Sequence, residues 1–134
     1  MEAAQGISHV GIAVTDLESA IQRYSAILGI HEIERMDVAT ENVKIALIKF
    51  GDTEIELLSP INESGPIAKF IKERGEGIHH LAIRVPNVTK AIEKAKASGF
   101  RMIDEVPRRG ARGTDAAFVH PKSMNGVLLE FYAR

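Results

Sequence analysis

The segment His9-Val10-Gly11-Ile12-Ala13-Val14 is repeated 71 residues later as His80-Leu81-Ala82-Ile83-Arg84-Val85. Each copy leads into a helix signal, with Asp16 after the first and Asn87 after the second, again 71 residues apart. Asp and Asn are favoured N-caps because their side chains accept hydrogen bonds from the first free amides of a helix. Since strand pattern and cap repeat together, the sequence predicts a duplicated structural unit.

The segments after each cap give both copies the same order of elements. Helices are predicted at 16–28 and 87–98, and each is followed or ended by a glycine, Gly29 or Gly99. Strand-like runs come next, at 32–38, 43–50 and 53–58 in the first copy and at 101–106, 115–119 and 126–132 in the second. The predicted fold class is therefore α+β, with two tandem βαβββ modules.

The modules are predicted to share one domain over 1–134. Module one covers about 7–60 and module two about 78–132. The linker at 61–77 contains a helical pattern that begins at Pro66 and is stopped by Gly75. Within module one, Gly51-Asp52 is expected to form the turn of a hairpin between the last two strands.

Composition narrows the function classes. The chain is 45% hydrophobic and 26% charged, the balance of a globular protein, and its net charge of −1 predicts no partner among nucleic acids. It has no cysteine, so thiolate metal sites and disulfides are excluded. Neither a signal peptide nor a transmembrane run is recognisable, so we expect no membrane partner and a cytoplasmic location.

Side-chain alternation along the two matching strands predicts that the histidines lie on one face. Val10, Ile12 and Val14 share a face suited to packing under a helix, and His9 lies on the other. In the second copy His80 is likewise opposite Leu81, Ile83 and Val85. Small neighbours leave room beside both imidazoles.

A carboxylate recurs on the last strand of each module. Glu56 alternates with Ile55 and Leu57, and Glu130 alternates with Leu129 and Phe131. If the sheets curve toward each other, His9, Glu56, His80 and Glu130 can line one cavity. Two imidazoles and two carboxylates suit one divalent cation with positions left open for a substrate.

Other polar residues are weaker candidates. His79 shares the helix-side alternation of Leu81, and His31 follows Gly29 in a turn on the surface. His120 ends a strand and could contact a ligand, and Lys122-Ser123 could bind a carboxylate or carbonyl or form a plain turn. Gly110-Ala111-Arg112-Gly113 lacks the ending of a phosphate loop. It is expected at the mouth of the site, where Arg108, Arg109 and Arg112 are either solvated or meet phosphates.

Four motifs resemble the methylmalonyl-CoA epimerase family of the vicinal oxygen chelate superfamily, which also contains glyoxalase I. They are His9-Val10-Gly11-Ile12-Ala13-Val14, Glu56-Leu57-Leu58-Ser59-Pro60, Gly75-Glu76-Gly77-Ile78-His79-His80-Leu81-Ala82, and His120-Pro121-Lys122-Ser123 with Gly126-Val127-Leu128-Leu129-Glu130. The similarity extends from about Ile7 to Tyr132. The first motif is common to the superfamily, whereas the last two together are more specific to the epimerase.

The resemblance implies a cupped, barrel-like mixed sheet around a metal, and a homodimer. It assigns the ligand roles to His9, Glu56, His80 and Glu130. The implied reaction is epimerisation of methylmalonyl-CoA, an acyl-CoA, at C2 by removal of the α-proton through a metal-stabilised enolate. Cobalt is the cation most associated with the family, and the ligands also suit manganese, zinc or nickel.

Inversion requires a proton-transfer group on each face of the reacting carbon. Glu130 is expected to be one of them, as ligand and catalytic residue. Some family members carry a glutamate at the place of Lys44, so Lys44 and Glu41 are candidates for the other, although Lys44 is also expected as an ordinary exposed lysine. Two further functions stay open: a lactoylglutathione lyase like glyoxalase I, and a non-catalytic small-molecule binding module.

Overall fold

The computed structural model describes residues 3–133. Its helices and strands occur in the predicted order. Over these residues the chain contains β1 (Ile7–Ala13), α1 (Leu17–Leu28), β2 (Ile33–Val38), β3 (Val43–Phe50), β4 (Thr53–Pro60), α2 (Pro66–Arg74), β5 (Gly77–Arg84), α3 (Val88–Ala97), β6 (Arg108–Arg109), β7 (Asp115–Val119) and β8 (Leu129–Tyr132). The predicted fold class, α+β with βαβββ order in each half of the chain, is confirmed. None of the helices in the described part is both long and apolar enough to cross a membrane.

The chain divides into two compact units. One comprises Val10–His79, and the other combines the N-terminal residues up to His9 with the chain from His80 onward. Strands β1 and β5 therefore each contribute residues to both units, because the divisions fall inside them.

In the unit Val10–His79, the strands follow the order β2-β3-β4-β1. Strands β2, β3 and β4 are antiparallel, and Gly51 with a φ of 59° allows the tight turn between Phe50 and Thr53. Helix α1 packs Ala20 and Ile21 on one face of this sheet, against Ala46, Ile48 and Leu57. Burying a large aliphatic side chain there contributes about 1.5–3 kcal/mol.

The other unit follows the order β5-β8-β7-β6, with β5 parallel to β8 and the remaining pairs antiparallel. The N-terminal residues pair with the end of β5, since Gln5 N donates to Arg84 O at 2.8 Å and Arg84 N donates to Gly6 O at 2.8 Å. Helix α3 covers the sheet through Val88, Ala91 and Ile92 in a cluster with Val119 and Phe131. Each unit therefore has a helix on one sheet face.

The caps predicted from the sequence are confirmed. Asp16 accepts from Ser19 N at 3.0 Å and Asn87 from Lys90 N at 2.9 Å. Helix α1 stops at Gly29, whose φ of 69° is left-handed and favours glycine. Helix α3 ends at Ala97, before Gly99 with a φ of 89°.

One predicted strand is wrong. The run 101–106 is not a strand but an irregular segment with a single bridge, Met102 to Val119, and the strand β6 lies later, after Pro107. Asp104 explains the departure, because its side chain accepts from Phe118 N at 2.7 Å and takes a place that a neighbouring backbone would occupy. Strand β8 is also shorter than predicted, since Asn125 and Gly126 adopt positive φ values in the preceding turn.

Candidate metal centre

Three of the four predicted ligands lie together in the unit that contains both ends of the chain. His9 on β1, His80 on β5 and Glu130 on β8 are only 4%, 5% and 4% exposed. The parallel register of β5 and β8 pairs Ala82 with Glu130, so the small side chain of Ala82 leaves space beside the carboxylate. Buried polar groups of this kind are costly unless they are paired or bind a metal.

The donor atoms of these residues converge. His9 Nε2 lies 3.0 Å from Glu130 Oε1, and His80 Nε2 lies 3.5 Å from the same oxygen. The two imidazole rings meet edge to face, with centroids 5.2 Å apart. Ring nitrogens of His9 and His80 come within 4.8 Å of each other. This set of two imidazoles and one carboxylate can hold a divalent metal ion.

Ser8, which the sequence did not single out, contacts the Nδ1 side of the His9 ring. Its Oγ lies 3.0 Å from His9 Nδ1, and Ser8 is itself buried. A histidine that binds metal through Nε2 carries its proton on Nδ1 and donates it to a neighbouring acceptor. Ser8 can accept that hydrogen bond and hold the ring in the tautomer that ligation requires.

Arg108, which the sequence analysis expected at the mouth of the site as a solvated group or a phosphate contact, contacts Glu130. Its Nη2 donates to Glu130 Oε2, and its Nε donates to Asp104 Oδ2 at 3.2 Å. The guanidinium also lies over the Phe118 ring, 4.2 Å from the centroid. No sequence signal identified this role, because the strand before β7 was predicted at 101–106, whereas the observed strand β6 is Arg108–Arg109.

These partners set the charge of Glu130. Burial raises the pKa of its carboxyl, but the hydrogen bond from His9 and the charges of His80, His9 and Arg108 outweigh burial and lower the pKa to about 2. Glu130 is thus an ionised carboxylate at neutral pH, the form that binds a cation and accepts a proton.

Aromatic side chains enclose the centre. The Tyr132 ring packs edge to face on His9 at 4.9 Å, and the Phe118 ring packs on His80 at 5.6 Å. Gly110 lies against Tyr132, since a Cβ at this position would come 2.8 Å from the ring. The loop 110–113 is a hydrogen-bonded turn in which Gly113 N donates to Gly110 O at 2.9 Å and Arg109 to Gly113 O.

Glu56, the fourth predicted ligand, belongs to the unit Val10–His79. It is buried on β4 and pairs with Leu47 of β3. Its neighbour Leu57 packs in the cluster under α1, so Glu56 occupies the opposite sheet face, as the alternation predicted.

The same hairpin corrects the interpretation of Lys44 as a group that faces the cavity. Lys44 alternates with Ala46 and Ile48, which pack under α1, so it lies on the face opposite Glu56. It is exposed, as the alternative expectation held, and its charge acts on Glu18 of α1. The buried β3 residues on the face of Glu56 are aliphatic, Val43, Ile45 and Leu47, and the exposed Lys49 lies on the same face. Glu41 is exposed in the 3-10 turn Ala39–Glu41 before β3.

The other three histidines have surroundings of their own. His31 is exposed, and the His79 ring packs on Phe70 of α2 with centroids 5.0 Å apart. His120 Nδ1 accepts from Lys122 N at 3.0 Å and caps the 3-10 turn Pro121–Ser123. Within this turn Ser123 Oγ accepts from Arg101 N at 2.9 Å, and the Lys122 side chain is exposed.

A cavity of about 330 Å³ opens at the start of α1, in the unit Val10–His79. Its lining includes Thr15, Arg23, Tyr24 and Glu76, and Glu76 accepts from both Thr15 N and Thr15 Oγ1. It contains none of the residues predicted to bind metal or substrate.

Comparison with known proteins identifies the family. The model of the Glyoxalase/Bleomycin resistance protein/Dioxygenase superfamily matches residues 8–118. The mitochondrial methylmalonyl-CoA epimerase of Homo sapiens is 38% identical over 92% of this chain and 71% of its own length. The structure of methylmalonyl-CoA epimerase from Mycobacterium tuberculosis is 36% identical, with a TM-score of 0.91 over 98% of this chain and 91% of that one. A methylmalonyl-CoA epimerase solved in complex with methylmalonyl-CoA and NH4+ is 30% identical, with a TM-score of 0.91 over 97% and 94%. The chain therefore belongs to the methylmalonyl-CoA epimerase family of this superfamily.

Proposed function

We propose that the protein epimerises methylmalonyl-CoA at C2, with one divalent cation held by His9, Glu56, His80 and Glu130. The observation that carries the proposal is the buried, ionised Glu130 carboxylate between two buried imidazoles, in a chain of the epimerase family. Cobalt is the proposed metal, and manganese, zinc or nickel are the alternatives that the donor set accepts.

The substrate fits such a centre. Its reacting carbon lies between a thioester carbonyl and a free carboxylate, whose oxygens can chelate one ion. The bound cation supplies a Lewis acid for the charge that develops on the thioester oxygen. The rings of Tyr132 and Phe118 pack against the two imidazoles, which supports an apolar border on this part of the centre.

Glu130 is proposed to move the proton on one face of C2. Its ionised form can accept the α-proton, and its location beside His9 and His80 supports this role for a substrate bound to the same cation. The group for the opposite face is proposed to come from outside the buried part of β3, since the buried β3 side chains on the face of Glu56 are aliphatic and Lys49 on that face is exposed. Glu41 stays a candidate for that group.

His120, Lys122 and Ser123 are proposed as contacts to the acyl-CoA. The exposed ammonium of Lys122, on a turn fixed by His120 and Ser123, supports a contact with a substrate carboxylate or phosphate. A homodimer and a cytoplasmic location complete the proposal as predictions from the resemblance and the sequence.

The experiment that tests the function is solvent exchange. Protein loaded with Co²⁺ is incubated with methylmalonyl-CoA in D2O, and deuterium at C2 is followed by NMR or mass spectrometry. We expect deuterium at C2 in both epimers, and no activity after the metal is removed with a chelator. Absence of exchange, together with ready formation of lactoylglutathione from methylglyoxal and glutathione, would replace this function with that of glyoxalase I.

A further inference from the structure

Contacts with Glu130, Asp104 and Phe118 together restrain the guanidinium of Arg108. It donates to Glu130 through Nη2 and to Asp104 through Nε, and its plane lies over Phe118. Asp104 is itself held by Phe118 N at 2.7 Å. The three partners restrain the side chain from different directions, so Arg108 is a fixed group rather than a mobile surface cation.

The two carboxylate oxygens of Glu130 have different partners. Oε1 lies toward the histidines, 3.0 Å from His9 Nε2 and 3.5 Å from His80 Nε2, whereas Oε2 accepts from Arg108. The side chain of Glu130 is 5% exposed and that of Arg108 is 24% exposed, so the carboxylate of this ion pair is shielded from solvent. A planar guanidinium can hold one carboxylate oxygen while a second donor binds another acid, which a lysine ammonium does less well.

We infer that Arg108 is a positioning residue for Glu130. It holds Oε2 and thereby presents Oε1 alone to the cation and the substrate. This inference rests on the proposed function for its catalytic consequence, but the positioning itself concerns metal binding and can be measured without substrate. It also gives Arg108 a role other than the contact with CoA phosphates that its sequence suggests.

Charge and position predict opposite effects, which makes the test sharp. If Arg108 acted only through its charge, Arg108→Met would remove a repulsion and strengthen cation binding. If it positions Glu130, the loss should weaken binding by about 10–100-fold, the usual effect of losing a partner that orients a ligand. Arg108→Lys keeps the positive charge but loses the planar guanidinium that contacts Glu130 and Asp104. If Arg108 positions Glu130, this variant should therefore also bind the cation more weakly.

The experiment is calorimetric titration of metal-free protein with Co²⁺, accompanied by the visible spectrum of the loaded protein, which reports the ligand arrangement. Parent, Arg108→Met, Arg108→Lys and the control Arg109→Met are compared. Arg109 is the exposed neighbour on β6 and donates to Gly113 O. We expect weaker binding and an altered spectrum in both Arg108 variants, and parental values for Arg109→Met.

Three results would overturn the inference: tighter binding by Arg108→Met, parental affinity and spectrum in both Arg108 variants, or an equal loss in Arg109→Met. Thermal melting of the metal-free proteins controls for folding, and if Arg108→Met does not fold, the lysine variant decides. The titration stays decisive even if the parent exchanges no deuterium, in which case the proposed function fails and the positioning role is judged alone.

Discussion

Buried imidazoles and carboxylates are costly for a fold unless each finds a partner, and here they partner one another. Side-chain alternation along β1, β5 and β8 was enough to predict that His9, His80 and Glu130 lie on the strand faces opposite the helices. The same reasoning could not find Ser8 or Arg108. Ser8 adjoins His9 in sequence, but its hydrogen bond to the ring depends on side-chain conformation, and Arg108 reaches Glu130 from a strand without a sequence signature.

The first residue-scale prediction concerns the histidines. His9→Ala or His80→Ala should each weaken Co²⁺ binding by more than the roughly 10–100-fold typical of a lost orienting partner, because a ligand atom itself is removed. Elemental analysis after dialysis measures the retained metal. His79→Ala is the matched control, since its ring packs on Phe70 instead. Equal retention in all three variants would contradict the ligand assignment.

At the scale of elements, the β3–β4 hairpin shows how register adds to alternation. The turn at Gly51-Asp52 pairs Phe50 with Thr53, and this register places Lys44 opposite Ser59 and Leu47 opposite Glu56. Alternation within β3 could not say which of its faces lies under α1. The register of the predicted turn, carried through to Leu57, contained that information.

The segment before β6 shows a limit of strand patterns. Residues 101–106 were predicted as a strand-like run, yet the Asp104 side chain accepts a hydrogen bond from Phe118 N. Pro107 lacks an amide hydrogen and so cannot complete a ladder. Tertiary hydrogen bonding therefore overrides a local pattern here, and it brings Arg108 to Glu130.

Gly110 gives the second mutational prediction, at the contact between its loop and β8. Gly110→Ala should destabilise the protein by about 1–3 kcal/mol, because the new methyl group would overlap the Tyr132 ring. Since Tyr132 packs on His9, metal affinity should fall as well. Urea unfolding and Co²⁺ titration measure the two effects.

A double-mutant cycle identifies the cause. In a Tyr132→Leu background the alanine should cost less, because the edge of the ring is gone. An equal cost in both backgrounds would show that the contact with Tyr132 is not responsible.

At the scale of the whole molecule, the repeat explains most of what could be predicted. It placed the helices, their caps and the order of strands in both halves, because each copy repeats the same local signals. The repeat is not uniform, however. His9 and His80 are 71 residues apart, whereas Glu56 and Glu130 are 74 apart, so the second copy holds extra residues between its helix and its last strand.

Those extra residues are where sequence prediction fails. The second copy has the irregular segment after α3 and the 3-10 turn Pro121–Ser123, and neither has a counterpart that could be aligned with the first copy. Arg108 lies in this region. The repeat therefore predicts a shared ligand framework but not the groups that make the two halves chemically different.

Glu130 is proposed to transfer a proton at C2 of methylmalonyl-CoA. The most direct measurement is deuterium exchange by Co²⁺-loaded Glu130→Gln from each epimer separately, with metal content determined on the same sample. We predict that the amide retains some metal while exchange falls by about 10²–10⁴-fold, with the larger loss for one epimer. A Glu130→Gln variant that holds metal and exchanges both epimers at the parental rate would show that Glu130 does not transfer the proton.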